Sequence, residues 1–374
     1  MDTVLKSKTA PSYSRQGTLY NNYSQEIKKM DYNKFYKKKF YKKFSIGYNG
    51  ESNFFNEIII TFRNYISSVY AVPPFSSGIS NARWALNVSA KKLLKLRMKL
   101  KEEKIKFNLI YNFDGIACPD SSFINKMILI TDFFKPDIVT FSNTFVRDAF
   151  IKNTNYKLNI SVIHDINTMN QLEMLIEDDE EKQITSYNIG RRKTYNLQYI
   201  KSVREKYPDL NLKLMVNEGC IFECPDQIFH SCSLTISRGN IQNAEKIFFC
   251  GKLKQDQYWR FLAGQYIPPK FLSNYCDLVD EFKIGTRSFE TNEIIKILTE
   301  YISEKDITIL RAMQSSHGGS LFCHNTSGTI LNNAKGPFKN DPCLKPYPAD
   351  FFQMRSSCKN ECCKCSYCKY LLSK

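Results

Sequence analysis

The 374-residue chain sets 53 Lys and Arg against 37 Asp and Glu, a formal charge of +16, and its 43% hydrophobic residues suffice for a sizeable core. No apolar run approaches the ~18 residues of a membrane-spanning helix, and Met1 to Asn22 lacks the apolar stretch of a secretory signal, which argues against membrane and exported classes. The 13 cysteines are accordingly read as thiols of a reducing cytoplasm, free for metal or catalysis.

The first 43 residues read as a basic, Tyr-rich extension. Its densest part, Lys28 to Lys43, interleaves lysines with Tyr32, Phe35, Tyr36, Phe40 and Tyr41. Charge plus stacking of that kind can grip a nucleic-acid strand, although a basic tail leading into the fold explains it as well. From Phe44 onward short apolar runs alternate with helical stretches. The runs are Phe44 to Asn49, Val69 to Val72, Phe107 to Asn112, Asp137 to Asn143, Leu158 to His164, Gln183 to Asn188, Leu212 to Asn217 and Val279 to Ile284. Helical spacing is clearest over Phe54 to Tyr65, Ala85 to Glu103, Met169 to Glu177 and Glu293 to Ser303.

Strands alternating with helices predict βαβ units and a parallel sheet. Eight units predict an α/β fold of the TIM-like (β/α)8 type over residues 44–303, with an open doubly wound sheet as the competing architecture. Most runs end on a polar residue: Asn49, Asn112, Asn143, His164, Asn188, Asn217 and Lys283. In a barrel these positions converge on one mouth, where ligands are bound. Asn also favours strand-ending turns for local reasons, so part of this regularity needs no function.

Two groups of cysteines interrupt and close the pattern. An insertion over about residues 220–275 carries Cys220, Cys224, His230, Cys232 and Cys250 and is expected to form a metal-bearing loop over the mouth. Three thiols would leave a metal with an open position, the condition for chemistry as opposed to scaffolding. His230 is a fourth ligand, a proton donor or simply packed beside Phe229. The irregular extension, 304–374, ends in Cys358, Cys362, Cys363, Cys365 and Cys368. Cys358, Cys362, Cys365 and Cys368 form a natural set of four for an iron–sulfur cluster or zinc, and spacing alone does not name the metal. Cys358, Cys362 and Cys365 also match the Cys-x3-Cys-x2-Cys spacing of radical S-adenosylmethionine enzymes. That motif belongs after a first barrel strand, however, and here it follows the last. Cys118, Cys276, Cys323 and Cys343 read as single buried thiols.

Asn217-Glu218-Gly219-Cys220 with Cys224-Pro225 and His230, followed by Phe282-Lys283-Ile284-Gly285-Thr286-Arg287, resembles the collagenase-like U-32 peptidase family. The resemblance spans roughly Phe44 to Ser303. It implies a TIM-like barrel with an oxygen-sensitive [4Fe–4S] cluster on cysteines, and a second cluster could occupy the C-terminal block. Some members resemble oxygen-independent hydroxylases of RNA or ubiquinone precursors; others are named peptidases. The order of glycine and arginine after Lys283 departs from the family element, as does the cysteine spacing after Cys224, so no substrate carries over.

The expected protein is an iron–sulfur enzyme modifying a substrate at the barrel mouth, by oxygen-independent hydroxylation or a related redox step. Asn217, Glu218 and His230 would orient substrate or move protons. Asn49, Asn112, Asn143, His164, Asn188, Lys283 and Arg287 would bind it, the last two through an anionic group. Cys220, Cys224, Cys232 and Cys250 would hold the catalytic metal. The expected partners are an anionic substrate (RNA, a peptide or a carrier-bound small molecule) and an electron donor, with no membrane. A peptidase is the runner-up, weakened by the lack of a His-Glu-x-x-His pair or a clear Ser-His-Asp set. A non-catalytic, zinc-bearing RNA- or peptide-binding protein is the third reading.

Overall fold

The computed structural model describes residues 38–74, 88–112, 120–225, 227, 259–316, 345–359 and 361–371. Eight parallel strands close into a barrel in sequence order: β1 Phe44–Gly47, β2 Ile66–Ala71, β3 Lys106–Tyr111, β4 Ile138–Phe141, β5 Leu158–Ile160, β6 Ile184–Asn188, β7 Asn211–Met215 and β8 Glu281–Ile284. Closure is direct, since Phe44, Ser45 and Ile46 pair with Phe282, Lys283 and Ile284. That pairing rules out the open doubly wound sheet, whose edge strands cannot meet. Among the described residues no helix is long and apolar enough to cross a membrane.

The connecting helices include α1 Ala90–Glu102, α2 Ser121–Phe134, α3 Thr144–Asn153, α4 Met169–Ile176, α5 Leu197–Lys206 and α6 Thr291–Ser303, followed by α7 Ile309–Ser315 and α8 Phe351–Ser356. Their starts follow capping rules. Ser89, Asp120, Asn143, Thr168, Asn196 and Thr308 each accept a backbone N–H of the first turn through the side chain, satisfying donors that a helix leaves unpaired. Thr168 and Gln171 complete a reciprocal capping box at α4.

The barrel inverts the usual strand pattern. Residues facing the helices are apolar, such as Phe44, Leu109, Val139, Leu212 and Phe282. Each strand also contributes at least one buried polar residue between them: Ser45, Ser68, Asn108, Thr140, Asn159, Ser186, Lys213 and Glu281, none more than 4% exposed. Buried polar groups need partners, and these largely find one another. Ser68 donates to the Ser45 Oγ at 2.7 Å and Thr140 to Asn108 at 2.8 Å, while Asn159 donates to Thr140 at 2.9 Å. Lys213 Nζ lies 3.4 Å from the Glu281 carboxylate, which also accepts hydrogen bonds from Ser67 and Asn211. Burial opposes the Glu281 charge, but Lys213 and the hydroxyls of Ser67 and Ser68 outweigh it and hold the carboxyl below its usual range. The lumen is therefore a largely paired polar network, one step below the mouth, in which Ser186 Oγ and Asn159 Oδ1 have no hydrogen-bond partner among the described residues.

The N-terminal end of the barrel is sealed by aromatic packing. Phe40, wholly buried, sits 5.8 Å from the Phe44 ring and 6.2 Å from Phe282. The Lys43 ammonium donates to the carbonyls of Cys276 and Val279 at 2.7 and 2.8 Å, tying the strand entrance to the segment before β8. The basic stretch ahead of residue 38 lies outside the described residues.

Candidate functional site at the barrel mouth

The C-terminal ends of β2, β6, β7 and β8 bring together a group of buried charges. Lys283, on β8, lies 4.7 Å from the centre of the Tyr70 ring, and the Arg287 guanidinium sits 5.8 Å from the same ring. Gly47 makes room for this stack: a Cβ there would meet Arg287 Cγ at 2.6 Å and the Tyr70 ring at 2.8 Å. Thr286 holds the turn in place. Its hydroxyl accepts the Gly47 N–H and donates to the Gly47 carbonyl, each at 2.7 Å. The seam between β1 and β8 is thus extended by a side chain beyond the last strand residue.

Burial pulls the Lys283 ammonium down to about 7, and Arg287, Lys213 and Arg191 add to the effect, with Glu218 opposing. A lysine so placed exchanges its proton near neutrality, which an ordinary lysine does not. Tyr70, Val72 and Ile110 form a buried cluster beside it at the mouth end of β2 and β3.

Opposite stands Arg191, launched by a tight turn after β6. Gly190 passes so close to the Ile166 carbonyl that a Cβ would lie 2.1 Å from its oxygen. Arg191 then donates to Glu218 at 2.9 Å, with both side chains at most 3% exposed. Burial opposes the Arg191 charge, but Glu218, followed by Cys220 and Asp165, holds it above its ordinary range. Glu218 also accepts the backbone N–H of Cys220 at 3.2 Å. The ion pair therefore shapes the loop that carries the first cysteine, a half-buried Cys220 followed by a buried Cys224.

The residues named from sequence divide into three groups. Lys283, Arg287, Glu218 and Cys220 meet at the mouth, with Asn112 and Asn188 buried at neighbouring strand ends, each leaving its Oδ1 without a partner among the described residues. Three others are engaged in holding the fold. Asn49 donates to the Phe289 carbonyl and Thr291 hydroxyl and accepts from Glu51. Asn143 caps α3. Asn217, wholly buried, donates to the carbonyls of Gly285 and Ser315 at 3.1 Å and accepts the Gly285 N–H at 2.7 Å, so it splices the strand ends of β7 and β8. His164 stands at the end of a short helical turn against Phe141, its pKa lowered first by burial, with Arg147 adding to that. The third group, His230, Cys232 and Cys250, lies outside the described residues, as do Cys118, Cys323 and Cys343.

The C-terminal block folds as two short helical turns, Cys362–Cys365 and Tyr367–Tyr370. Cys358, Cys362, Cys365 and Cys368 line one cavity of about 40 Å³ together with Trp259 and Met354. Burial pushes the Cys368 thiol up to about 11, opposed by Arg355 and reinforced by the other three thiols. A four-thiol donor set around one cavity suits zinc or an iron–sulfur cluster in kind. Among the described residues, no three Cys, His, Asp or Glu side chains converge closely enough to hold a metal as they stand.

This block adjoins the mouth loop. A Cβ on Gly264 would meet the Cys220 carbonyl at 2.7 Å, and the same Gly264 carbonyl accepts a hydrogen bond from Arg355 of α8 at 3.0 Å. Phe222 and Cys358 line one cavity. The two cysteine groups, far apart in sequence, are neighbours in space.

Sequence reasoning overlooked Tyr70, Arg191 and Arg355. Arg191 carried a usable signal, since it follows Asn188 and Gly190 at a strand end. Arg355 carried none, because its partners come from a remote segment.

No family model matches the sequence. An "Uncharacterized protease MJ1657" from Methanocaldococcus jannaschii is 23% identical over 283 residues, 73% of this chain and 78% of that protein. The U32 peptidase Mk0906 is 11% identical, with a TM-score of 0.45 over 66% of this chain and 93% of that one. The AsfvAP:AG crystal structure is 13% identical, with a TM-score of 0.40 over 71% of this chain and 97% of that one. The chain is similar to the U-32 peptidases. The closed barrel is seen independently of that likeness in the pairing of its strands.

Proposed function

We propose that the chain is a U-32-type enzyme that modifies an anionic substrate at the C-terminal mouth of its barrel, using an iron–sulfur group held by cysteines. The observation that carries this reading is the excess of buried positive charge at the mouth. Lys283, Arg287 and Arg191 gather there around Glu218, with Asp165 acting on Arg191 from the other side, beside the Cys220 loop, so the cations outnumber these two carboxylates. Cations gathered out of water favour an anion brought among them, and an anionic substrate would supply one.

In this reading Arg287 and Lys283 bind the anionic group and turn the reacting part toward Cys220. Lys283 gives or takes a proton near neutral pH. Glu218 and Arg191 keep the Cys220 loop in register, and the buried Tyr70, Val72 and Ile110 cluster excludes water from one side of the substrate. Cys358, Cys362, Cys365 and Cys368 would hold one group, and Cys220 and Cys224 would belong to a second or to a shared one. When bound, such a group would supply single electrons for a redox step.

The name of the archaeal relative favours a second reading, a peptidase. In that case Lys283 or Glu218 would activate water. Anaerobic purification followed by iron and sulfide analysis separates the two. Several irons per chain with broad visible absorption is the expected result. A colourless protein with stoichiometric zinc, hydrolysing a denatured collagen or casein substrate without iron, would remove the redox reading. Replacing Cys358 and Cys362 by serine, and separately Cys220 and Cys224, then tells one site from two. Loss of all iron in both variants means one shared site.

A further inference from the structure

We infer that the cavity between the Arg191–Lys193 turn and α8 is an anchoring site for the phosphate monoester of the substrate. The inference rests on the mouth being where that substrate reacts. The cavity measures about 170 Å³. At ~10–15 Å³ for each water-sized probe position, that is space for a phosphate together with the body it is attached to. Its described lining includes Arg191, Arg192, Lys193 and Arg355 and no acidic side chain.

Two of its lining groups are buried with an atom left over. Arg355, 5% exposed, uses one terminal nitrogen on the carbonyls of Ala263 and Gly264 at 2.7 and 3.0 Å and stacks on Tyr195 at 4.8 Å. Its Nε has no partner among the described residues. Gln265, 3% exposed, leaves its Oε1 equally unmatched. A buried donor and a buried acceptor in one basic cavity call for a ligand offering an anionic oxygen and a hydroxyl. A phosphorylated sugar offers both, and even with Arg191 paired to Glu218 and Arg192 lying 3.8 Å from Asp165, the added charge of Lys193 and Arg355 suits a dianion better than a carboxylate, which one guanidinium fork would satisfy. Phe222 adds an apolar wall for the body of the ligand.

The position links this cavity to the mouth. Arg191 lines it while donating to Glu218 and acting on Lys283. The close passage of Gly190 against Ile166 fixes the turn before any ligand arrives, and a preformed site loses less on binding. A phosphate held here would leave the rest of its molecule beside the Cys220 loop.

The test uses the full chain at low ionic strength, titrated by calorimetry with ribose 5-phosphate, inorganic phosphate, ribose and a 5′-phosphorylated RNA oligonucleotide. Ribose 5-phosphate should bind and raise Tm, with ribose silent. Comparing inorganic phosphate and RNA with it identifies the source of the phosphate. Arg355→Lys should weaken binding at least ~10-fold. The pair Arg192→Ala and Lys193→Ala, outside the buried core of the site, should weaken it by about the same factor without unfolding the protein. Absence of phosphate-dependent binding, or binding equal in the wild type and the Arg192/Lys193 variant, would overturn the inference. Iron content is read separately. Phosphate binding by a protein without iron keeps the anchor and removes the redox reading, and an iron-loaded protein without phosphate binding does the reverse.

Discussion

Lys213 and Lys283 occupy adjacent barrel strands and are both buried, yet their surroundings differ in kind. Lys213 faces Glu281, which two serines also support, so a carboxylate offsets part of its burial, although burial still holds the ammonium below its ordinary range. Lys283, one step nearer the mouth, rests on the Tyr70 ring and is faced by Arg287 and Arg191 as well as Glu218. The lower layer is closed in that its one cation has a carboxylate partner, whereas in the open upper layer three cations gather near Glu218. On the proposed function, the first arrangement serves stability and the second serves binding of an anion.

The sharpest way to break this comparison is at the closed layer. Lys213→Met should leave the Glu281 carboxylate buried without its counter-charge and cost ~3–5 kcal/mol in chemical denaturation. The double variant Lys213→Met with Glu281→Leu should recover most of that loss, since two apolar groups replace a matched pair. A cheap single variant would mean that the lumen is solvated, and the contrast between the layers would fall.

Asn217→Ala is the next largest, at ~2–3 kcal/mol, because it strands the Gly285 N–H and the Gly285 and Ser315 carbonyls in a buried junction. Loss of activity in proportion to stability would mark Asn217 as a splice. Activity lost at full stability would return it to the catalytic set.

Lys283→Met tests the open layer, with the opposite sign. The folded pKa of Lys283, about 7, lies below its ordinary value of 10.5. Between those values the unfolded chain binds the proton and the folded chain does not, so stability contributed by this site rises with pH across that window. Below pH 7 both states are protonated and the burial cost is fully present. The variant should therefore be more stable than wild type at pH 6.5, by on the order of 2 kcal/mol after lost packing. The difference should shrink toward pH 10. Denaturation midpoints at those two pH values check it, and a variant less stable at pH 6.5 would show that Lys283 already has a compensating partner.

Much of the fold was legible because the barrel's inverted pattern writes itself in triplets. Phe44-Ser45-Ile46, Phe107-Asn108-Leu109, Val139-Thr140-Phe141, Leu158-Asn159-Ile160 and Leu212-Lys213-Leu214 each place one polar lumen residue between two residues buried against helices. Such runs mark five of the strands, and with the apolar runs of the other three and helices between them they mark a closed barrel. Of the candidate site, the sequence made legible the nearness of Lys283, Glu218 and Cys220, where chemistry and strand end coincide. Arg191 and Arg355 gain their place from Gly190 and Gly264, whose need for close backbone contact depends on segments remote in sequence. Asn217 looked like a mouth residue for the same reason: its partners, Gly285 and Ser315, become visible only once the barrel closes.

Asn143 is the smallest test and separates two meanings of an asparagine at a strand end. It follows β4 and accepts the Val146 N–H at 3.0 Å as the cap of α3. Asn188, at the end of β6, instead has its Oδ1 buried in the lumen without a described partner. Asn143→Ala should therefore cost ~1 kcal/mol of stability. Asn143→Asp or Asn143→Ser should restore it, since either can accept the same N–H. Substrate affinity should be the same in all three, because the cap acts on the helix and not on the mouth. An affinity loss that follows the identity of the side chain and not the stability would place Asn143 with Asn188 among the ligand-facing strand ends, and the division between paired and open positions would then run one strand further round the barrel.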